Sequence, residues 1–326
     1  MSALTNEACI KVVDTQLSLR SLLDDVTSFP TNPPSLFLDL EGDNLGRHGS
    51  ISIISLFDAP RNTVYPVDVH CLSGEAFTIT NNNVLFKTIL ESSTIPKVFF
   101  DVRNGSDALF NLYQVSLNGV KDIQLMELGC RPGPESSKKY VADLAKCVAK
   151  SSAISDPQKE EWQHVKQDAA RLFDAQKRGF RHIFRKRPLA SEIEQFCIQN
   201  VIVLPGLHDV YDAKLCRPSE KFWQVQVQQA TKDRIKLSQT LQEQDGSKTL
   251  GPWSEWEIEQ AVEEWNEDVM FNAMHEDEEE DWNEDLLQNI MNGDCDDCDE
   301  SDDYKDSARD CIGWEEDMLE NGEQFD

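Results

Sequence analysis

Two acidic residues stand two positions apart where an apolar run ends, in the segment Ser35-Leu-Phe-Leu-Asp-Leu-Glu-Gly42. The run contains no breaker and predicts a β-strand, on which residues two apart point to the same face. The carboxylates of Asp39 and Glu41 should therefore point the same way, before Gly42 lets the chain turn. Two hard oxygen ligands held together at a strand end are typical of a divalent-metal site, although solvated strand-end acids would give the same pattern.

The elements that position this pair follow from the hydrophobic pattern along the chain. An amphipathic helix is predicted at 14–26, and closely spaced strands at 36–39, 50–57 and 63–68 predict an antiparallel meander. The later elements are helices at 83–91 and 106–113, strands at 97–101 and 120–127, and helices at 141–149, 159–172, 190–203 and 210–245. This order predicts an α/β fold, an RNase H-like mixed five-stranded sheet flanked by helices. In such sheets, sites lie at the carboxyl ends of strands.

Charge is distributed unevenly along the sequence. The whole chain carries −29, and residues 271–326 hold 23 Asp and Glu against two bases, so they account for −21 and leave −8 for residues 1–270. We predict a folded domain at 1–250, a short helical linker at 251–270 and a disordered acidic tail at 271–326, because dense like charge outweighs the little apolar area there. Trp and Leu among the acids indicate a protein partner for the tail, and a merely solvating tail is an equal alternative.

The N-terminus and the cysteines bear on the compartment. The first residues lack a basic and an apolar region, and no apolar stretch approaches the roughly 18 residues of a membrane span. The nine cysteines are scattered and form no paired framework. We therefore expect an intracellular protein, nuclear or cytoplasmic, that is neither secreted nor bound to a membrane and whose cysteines are free.

Several ordered segments together resemble the 3'-5' exonuclease domain family. The resemblance is to the RNase D-like branch of the four-acidic-residue (DEDD) exonucleases, and within it to the Egalitarian-like members. It covers roughly residues 10 to 250 and implies the RNase H-like fold. The segments that carry it are 36–42, 51–57, 65–70, 97–109, 122–128, 187–201 and 204–206, with Tyr211.

The family's chemistry is two-metal hydrolysis of phosphodiester bonds, in which four carboxylates bind two divalent ions. The Asp and Glu of its first motif are matched by Asp39 and Glu41. The Asp of its second motif falls on Gly105, and the Tyr and Asp of its third fall on Phe196 and Asn200. The resemblance thus implies Mg²⁺ or Mn²⁺ if the chain is active. The three departures predict that catalysis is impaired or lost and that no cofactor is then bound.

Four other side chains could replace the missing ligands. Asp101 ends a predicted strand, and Asp107 lies two residues beyond Gly105, which on a helix is a rotation of about 200°. His208 and Asp212 are four apart, one residue short of the spacing in the histidine-using branch of the family. We expect none of them to restore the site, and Asp101 or Asp107 is the extra metal ligand that an active enzyme would need.

A basic segment precedes the helix that carries the third motif. Residues 177–187 contain six Lys and Arg, no acid, and two Phe four positions apart. Basic groups neutralise phosphates and exposed rings stack on unpaired bases, so we predict a nucleic-acid-binding segment beside the site. The alternative is a solvated loop whose Phe180 and Phe184 pack into the core. The predicted binding residues are Lys177, Arg178, Arg181, Arg185, Lys186 and Arg187.

These observations predict a protein that binds single-stranded nucleic acid, with RNA as the expected kind, and whose nuclease chemistry is impaired or absent. One alternative is a working metal-dependent 3'-5' exonuclease. A second is an interaction scaffold that acts through the acidic tail.

Overall fold

A mixed sheet lies at the centre of the computed structural model, which describes residues 8–26, 31–177, 182–240 and 249–279. Within these ranges the main sheet has six strands in the order β1-β4-β3-β2-β7-β8, and β5 and β6 form a separate hairpin. The strands are β1 (Cys9–Ile10), β2 (Leu36–Glu41), β3 (Ile53–Asp58), β4 (Thr63–Asp68), β5 (Thr80–Asn81), β6 (Val84–Leu85), β7 (Lys97–Phe99) and β8 (Val120–Asp122).

Strand β2 lies in the interior of the sheet. It pairs antiparallel with β3, where Asp39 is opposite Ser55, and parallel with β7, where Leu36 is opposite Lys97. The predicted meander and mixed sheet are confirmed, but the predicted number of strands was wrong. The additional strand, β1, pairs parallel with β4 at the sheet edge. Two residues are too few to show a strand period, so β1 carries no signal in the sequence.

Helices cover both faces of the sheet. The described helices are α1 (Gln16–Val26), α2 (Val69–Leu72), α3 (Glu75–Thr78), α4 (Phe86–Glu91), α5 (Val102–Tyr113), α6 (Ile123–Gly129), α7 (Leu144–Lys150), α8 (Asp156–Lys177), α9 (Ser191–Ile202), α10 (Leu204–Leu215), α11 (Lys221–Ser238) and α12 (Glu255–Glu279). Among the described residues, no helix is both long and apolar enough to cross a membrane. The cysteines in the same ranges are free.

Two predicted elements were wrong. The strand predicted at 120–127 ends at Asp122, whose carboxylate caps α6 by accepting a hydrogen bond from the Gln124 backbone N–H (3.0 Å). The helix predicted at 210–245 is instead the end of α10 followed by α11, separated at Pro218. Proline lacks the N–H that a continuous helix requires, which accounts for the break.

The acidic C-terminal region is helical past the predicted linker. Helix α12 continues beyond residue 270 and ends at Glu279. The prediction from the density of like charge therefore ended this helix too early in the sequence. The rest of the predicted tail, residues 280–326, lies outside the described residues.

Alternate residues of β2 enter two separate cores. Leu36, Leu38 and Leu40 pack on one face with side chains of α1, α4 and α5. Phe37 packs on the other face with side chains of α6, α9, α10 and α11. Because strand residues alternate between faces, the two acids that follow Phe37 lie on its side of the sheet, beneath the helix layer that contains α9.

Lys97 is a fully buried cationic side chain on β7. Its ammonium donates hydrogen bonds to the backbone carbonyls of Ile89 (3.1 Å) and Ser92 (2.5 Å), at the end of α4. Burial lowers the pKa of Lys97 from 10.5 to about 7 because the charged form loses its water. Lys97 therefore fastens α4 to the sheet and makes folding sensitive to pH.

We predict that Lys97 makes the free energy of unfolding rise between about pH 7 and pH 10.5. Over that window the unfolded chain holds a proton on this side chain that the native state has released, so a higher pH favours the native state. Urea unfolding across this range should show that Lys97→Met reduces the rise. Lys87→Met, at a partly exposed lysine of α4, is the control. Equal pH slopes for the wild type and Lys97→Met would contradict the prediction.

Candidate functional site

Asp39 and Glu41 are bridged by a single amide at the carboxyl end of β2. Asn200 of α9 donates through Nδ2 to Oδ2 of Asp39 (2.8 Å) and to Oε1 of Glu41 (3.1 Å). Asn200 is buried, and both acids are partly buried. The structure therefore brings together three of the four positions that the first and third motifs predicted, and the amide faces the carboxylates with its donor atoms.

Helix α9 presents this amide because its other faces are used for packing. Ile198 and Val201 enter the core shared with Phe37. Ile193 and Cys197 enter a smaller cluster with residues of β3 and α8. The helical period then leaves the position of Asn200 facing the end of β2.

A lysine that the sequence analysis did not single out approaches the same site from α8. The Nζ atom of Lys166 lies 3.8 Å from the ring centroid of Phe196 and 4.9 Å from that of Trp162. Its charge is also close enough to Asp39 and Glu41 to favour their ionised forms. A cation over aromatic faces is attracted by the ring quadrupole, so the two rings hold this ammonium over Phe196, one helical turn from Asn200.

The electrostatics of the site are those of charges that have lost water. Burial raises the pKa of Asp39, and it raises the pKa of Glu41 well above its usual value, with the neighbouring charge of Asp39 adding to the effect. Burial lowers the pKa of Lys166, against the pull of the two acids. The amide of Asn200 and the ammonium of Lys166 partly offset the cost of keeping the acids ionised.

Phe196 and Gly105 leave the remaining motif positions without polar atoms. Phe196 is half-buried one helical turn before Asn200, and its ring is in contact with Lys166. Gly105 is buried in α5, where an added Cβ would lie 3.5 Å from a methyl group of Leu40, an ordinary packing distance. Neither position offers an oxygen to a metal ion or a water molecule.

Divalent ions do not fit the ligand set that the described residues provide. Within the described ranges, no group of three or more His, Cys, Asp and Glu is arranged to hold a metal. Asn200 turns its N–H donors to Asp39 and Glu41, and its Oδ1 is buried without a hydrogen-bond partner. Hard cations need several oxygen ligands, mostly charged, and here two carboxylates share one amide donor instead.

The acids considered as substitutes are engaged in ion pairs. Asp101 caps α5 and accepts two hydrogen bonds from the Arg103 guanidinium, both 2.7 Å. Asp107 accepts from Arg47 Nη2 at 2.7 Å and from the Arg47 backbone N–H at 2.6 Å. In these positions both carboxylates neutralise arginines, so the structure gives neither the role of an extra metal ligand.

The His208–Asp212 pair contacts the neighbouring edge of the sheet. Lys121 of β8 donates to Oδ1 of Asp212 (2.9 Å), and its Nζ lies 3.3 Å from Nε2 of His208. His208 is buried against the edge of the Phe37 ring. Both side chains therefore contact Lys121.

Two arginines of the basic segment hold it to the rest of the fold through ion pairs. Arg187 forms a two-pronged ion pair with Asp68, and Arg185 pairs with Asp43 through Nε at 2.9 Å. Phe184 is buried in the small cluster beside α9, as the core-packing alternative predicted. Lys186 is exposed. Of the other predicted binding residues, Arg178 and Arg181 lie outside the described residues, and the side chain of Lys177 is likewise not described.

Asp122 ties the elements around the site together. It is fully buried and accepts hydrogen bonds from the backbone N–H groups of Asp101 (3.0 Å) and Val102 (3.2 Å). It also accepts from Arg234 of α11 at 2.6 Å. Asp122 therefore has a structural role where β8, α5 and α11 meet, and its partner Arg234 had no sequence signal.

Comparison with solved structures identifies the fold. The chain is similar to Trypanosoma brucei RNase D in complex with RNA U12, at 18% identity over 78% of this chain and 79% of that one, with a TM-score of 0.60. It is also similar to RNase D from the same organism alone (18% identity, 75% and 79% covered, TM-score 0.58) and with GMP (17%, 74% and 69%, TM-score 0.57). No protein-family model matches the sequence, and no curated protein matches it significantly. The chain therefore has the RNase D-like fold that its motifs predicted.

We predict that Asn200→Asp lowers the free energy of unfolding by about 2–4 kcal/mol at pH 7, because it replaces a donor to two carboxylates with a third acceptor. The loss should shrink toward pH 5, where the new carboxyl group can hold a proton and donate. Urea unfolding measures both effects. Asn118→Asp, an exposed site whose side chain already acts as an acceptor, is the control. A neutral or stabilising Asn200→Asp in metal-free buffer would refute the bridging role.

Proposed function

We propose that this chain is a nucleic-acid-binding protein of the 3'-5' exonuclease family, directed to single-stranded RNA, in which two-metal catalysis is impaired or lost. Two kinds of observation support the proposal. The fold is that of RNase D, and the two acids of the predicted metal site accept hydrogen bonds from the amide of Asn200, with the Lys166 ammonium over the neighbouring ring of Phe196.

The observation that carries the loss of catalysis is the orientation of Asn200. In an active site the third-motif position would present a carboxylate oxygen to a metal ion. Here the same position donates an N–H group to each of Asp39 and Glu41, where a metal ligand would offer an oxygen. Together with Gly105 and Phe196, this leaves two carboxylates of the usual four and no hydroxyl to orient a water molecule.

RNA as the ligand is supported by the fold and by one exposed residue. The similar RNase D structures contain RNA U12 in one case and GMP in another. In this chain Lys186 is an exposed base in the segment next to α9, whereas Arg185 and Arg187 are committed to Asp43 and Asp68. We therefore assign phosphate contact to Lys186. To the two arginines we assign the structural role of holding the segment to the fold through their ion pairs.

We predict that the purified full chain does not shorten a 5'-labelled single-stranded RNA or DNA in Mg²⁺ or Mn²⁺. Denaturing gels over hours, with an active exonuclease as positive control, measure this. Cleavage that Asp39→Ala abolishes would show that the chain is a working exonuclease and would refute the proposal. Residual cleavage that survives Asp39→Ala would be attributed to a contaminant and would be removed by further purification before scoring.

We predict that the chain binds a U-rich RNA 12-mer in a salt-dependent manner and that Lys186→Glu weakens this binding. Loss of one phosphate contact should reduce the slope of log Kd against log salt by roughly one. Fluorescence anisotropy between about 50 and 200 mM salt measures both quantities. Lys232→Glu makes the same charge change at an exposed position of α11 and is the matched control. Absence of RNA binding by the wild type would favour a scaffold instead.

A further inference from the structure

Lys166 is a cation whose position neither the motifs nor the fold requires. It belongs to α8, whereas the two acids belong to β2 and the bridging amide to α9. Its Nζ lies 3.8 Å from the ring centroid of Phe196, which is one helical turn from Asn200. The charge of Lys166 also acts on Asp39 and Glu41 of β2 and on Cys197 of α9. Three elements therefore converge on one small site with both signs of charge.

Without a metal ion, the ammonium group of Lys166 offsets one of the two negative charges of this site. The family's arrangement sets four carboxylates against two divalent ions. Here two carboxylates face one ammonium group and two N–H donors of Asn200. Partly buried acids need compensation of this kind, and the charge of Lys166, which acts on both acids, would repel a divalent ion added to the cluster.

The aromatic side chains keep the ammonium at this place. Trp162, one turn earlier on α8, and Phe196 on α9 both offer ring faces to Nζ, at 4.9 Å and 3.8 Å from their centroids. A lysine held by two rings loses less by leaving water than one in an apolar pocket. Phe196 therefore has a function in this chain, because its ring face attracts the ammonium at a residue where the family has a tyrosine.

We infer that Lys166 is the resident cation of the Asp39–Glu41 site and that its ammonium group excludes divalent metal ions from it. The inference rests on the proposed function, since it concerns a site without metal chemistry. It adds a second cause for the weak binding of divalent ions. Loss of ligands explains weak metal binding, whereas a fixed internal cation opposes metal binding even after ligands are restored.

The test measures Mn²⁺ binding by the full chain, using the electron paramagnetic resonance signal of free Mn²⁺. Gly105→Asp combined with Asn200→Asp returns the lost carboxylates, and Lys166→Met is then added to that pair. We expect no binding by the wild type at millimolar Mn²⁺, weak binding by the double variant, and at least tenfold tighter binding once Lys166→Met is added.

The matched control adds Lys159→Met to the same double variant. Lys159 lies on α8 and pairs with Asp156 at 3.7 Å, so its removal changes the net charge equally without touching the site. Equal Mn²⁺ affinity with and without Lys166→Met would overturn the inference, as would an equal gain from Lys159→Met. Mn²⁺ binding by the wild type would also overturn it.

A second measurement covers the case in which the multiple variants do not fold. Thermal unfolding in chelator-treated buffer should show that Lys166→Met lowers the Tm of the wild type. It should lower the Tm much less when Asp39→Asn and Glu41→Gln are already present, because the acids no longer need a counter-charge. Equal losses in both backgrounds would count against the role of Lys166. RNA binding and cleavage by the wild type are scored separately, so failure of the proposed function is distinguishable from failure of this inference.

Discussion

The burial of two carboxylates at the end of an interior strand is the constraint on which the site depends. Strand β2 runs between β3 and β7, so its end lies beneath the helix layer and away from bulk water. Charged groups in such a place must be paired or hydrogen-bonded, or they give up their charge. The amide of Asn200 on α9 and the ammonium of Lys166 on α8 provide this compensation. Both helices are held in place by apolar side chains that pack in the cores.

The same need for compensation explains the other ion pairs around the site. Asp101 and Asp107 lie near the site on α5, but each is neutralised by an arginine. The segment before α9 was expected to face nucleic acid through its bases, and two of those bases instead hold the segment against the ends of β2 and β4. These two arginines therefore stabilise the fold through their ion pairs.

The parts of the fold that could be predicted are those with a long, regular pattern. The meander of β2, β3 and β4 was readable because alternation and turn residues agree over the whole region. Strand β1 was missed because it is too short to alternate. The apolar run from Ile123 to Leu128 has no clear period, so the sequence does not distinguish helix α6 from a strand. Pro218 marks the division between α10 and α11, but apolar residues continue on both sides of it and resemble one long helix.

The sequence by itself determined the order of the motifs, the shared face of Asp39 and Glu41, and the presence of Gly105, Phe196 and Asn200 at the other positions that the family resemblance assigns. These depend on residue identity and on local backbone geometry, which short stretches of chain specify. Only the tertiary structure decided what compensates the remaining acids. Lys166 carries no local signal of its partners, because it is more than a hundred residues from them in the chain and α8 reaches them only by packing beside α9.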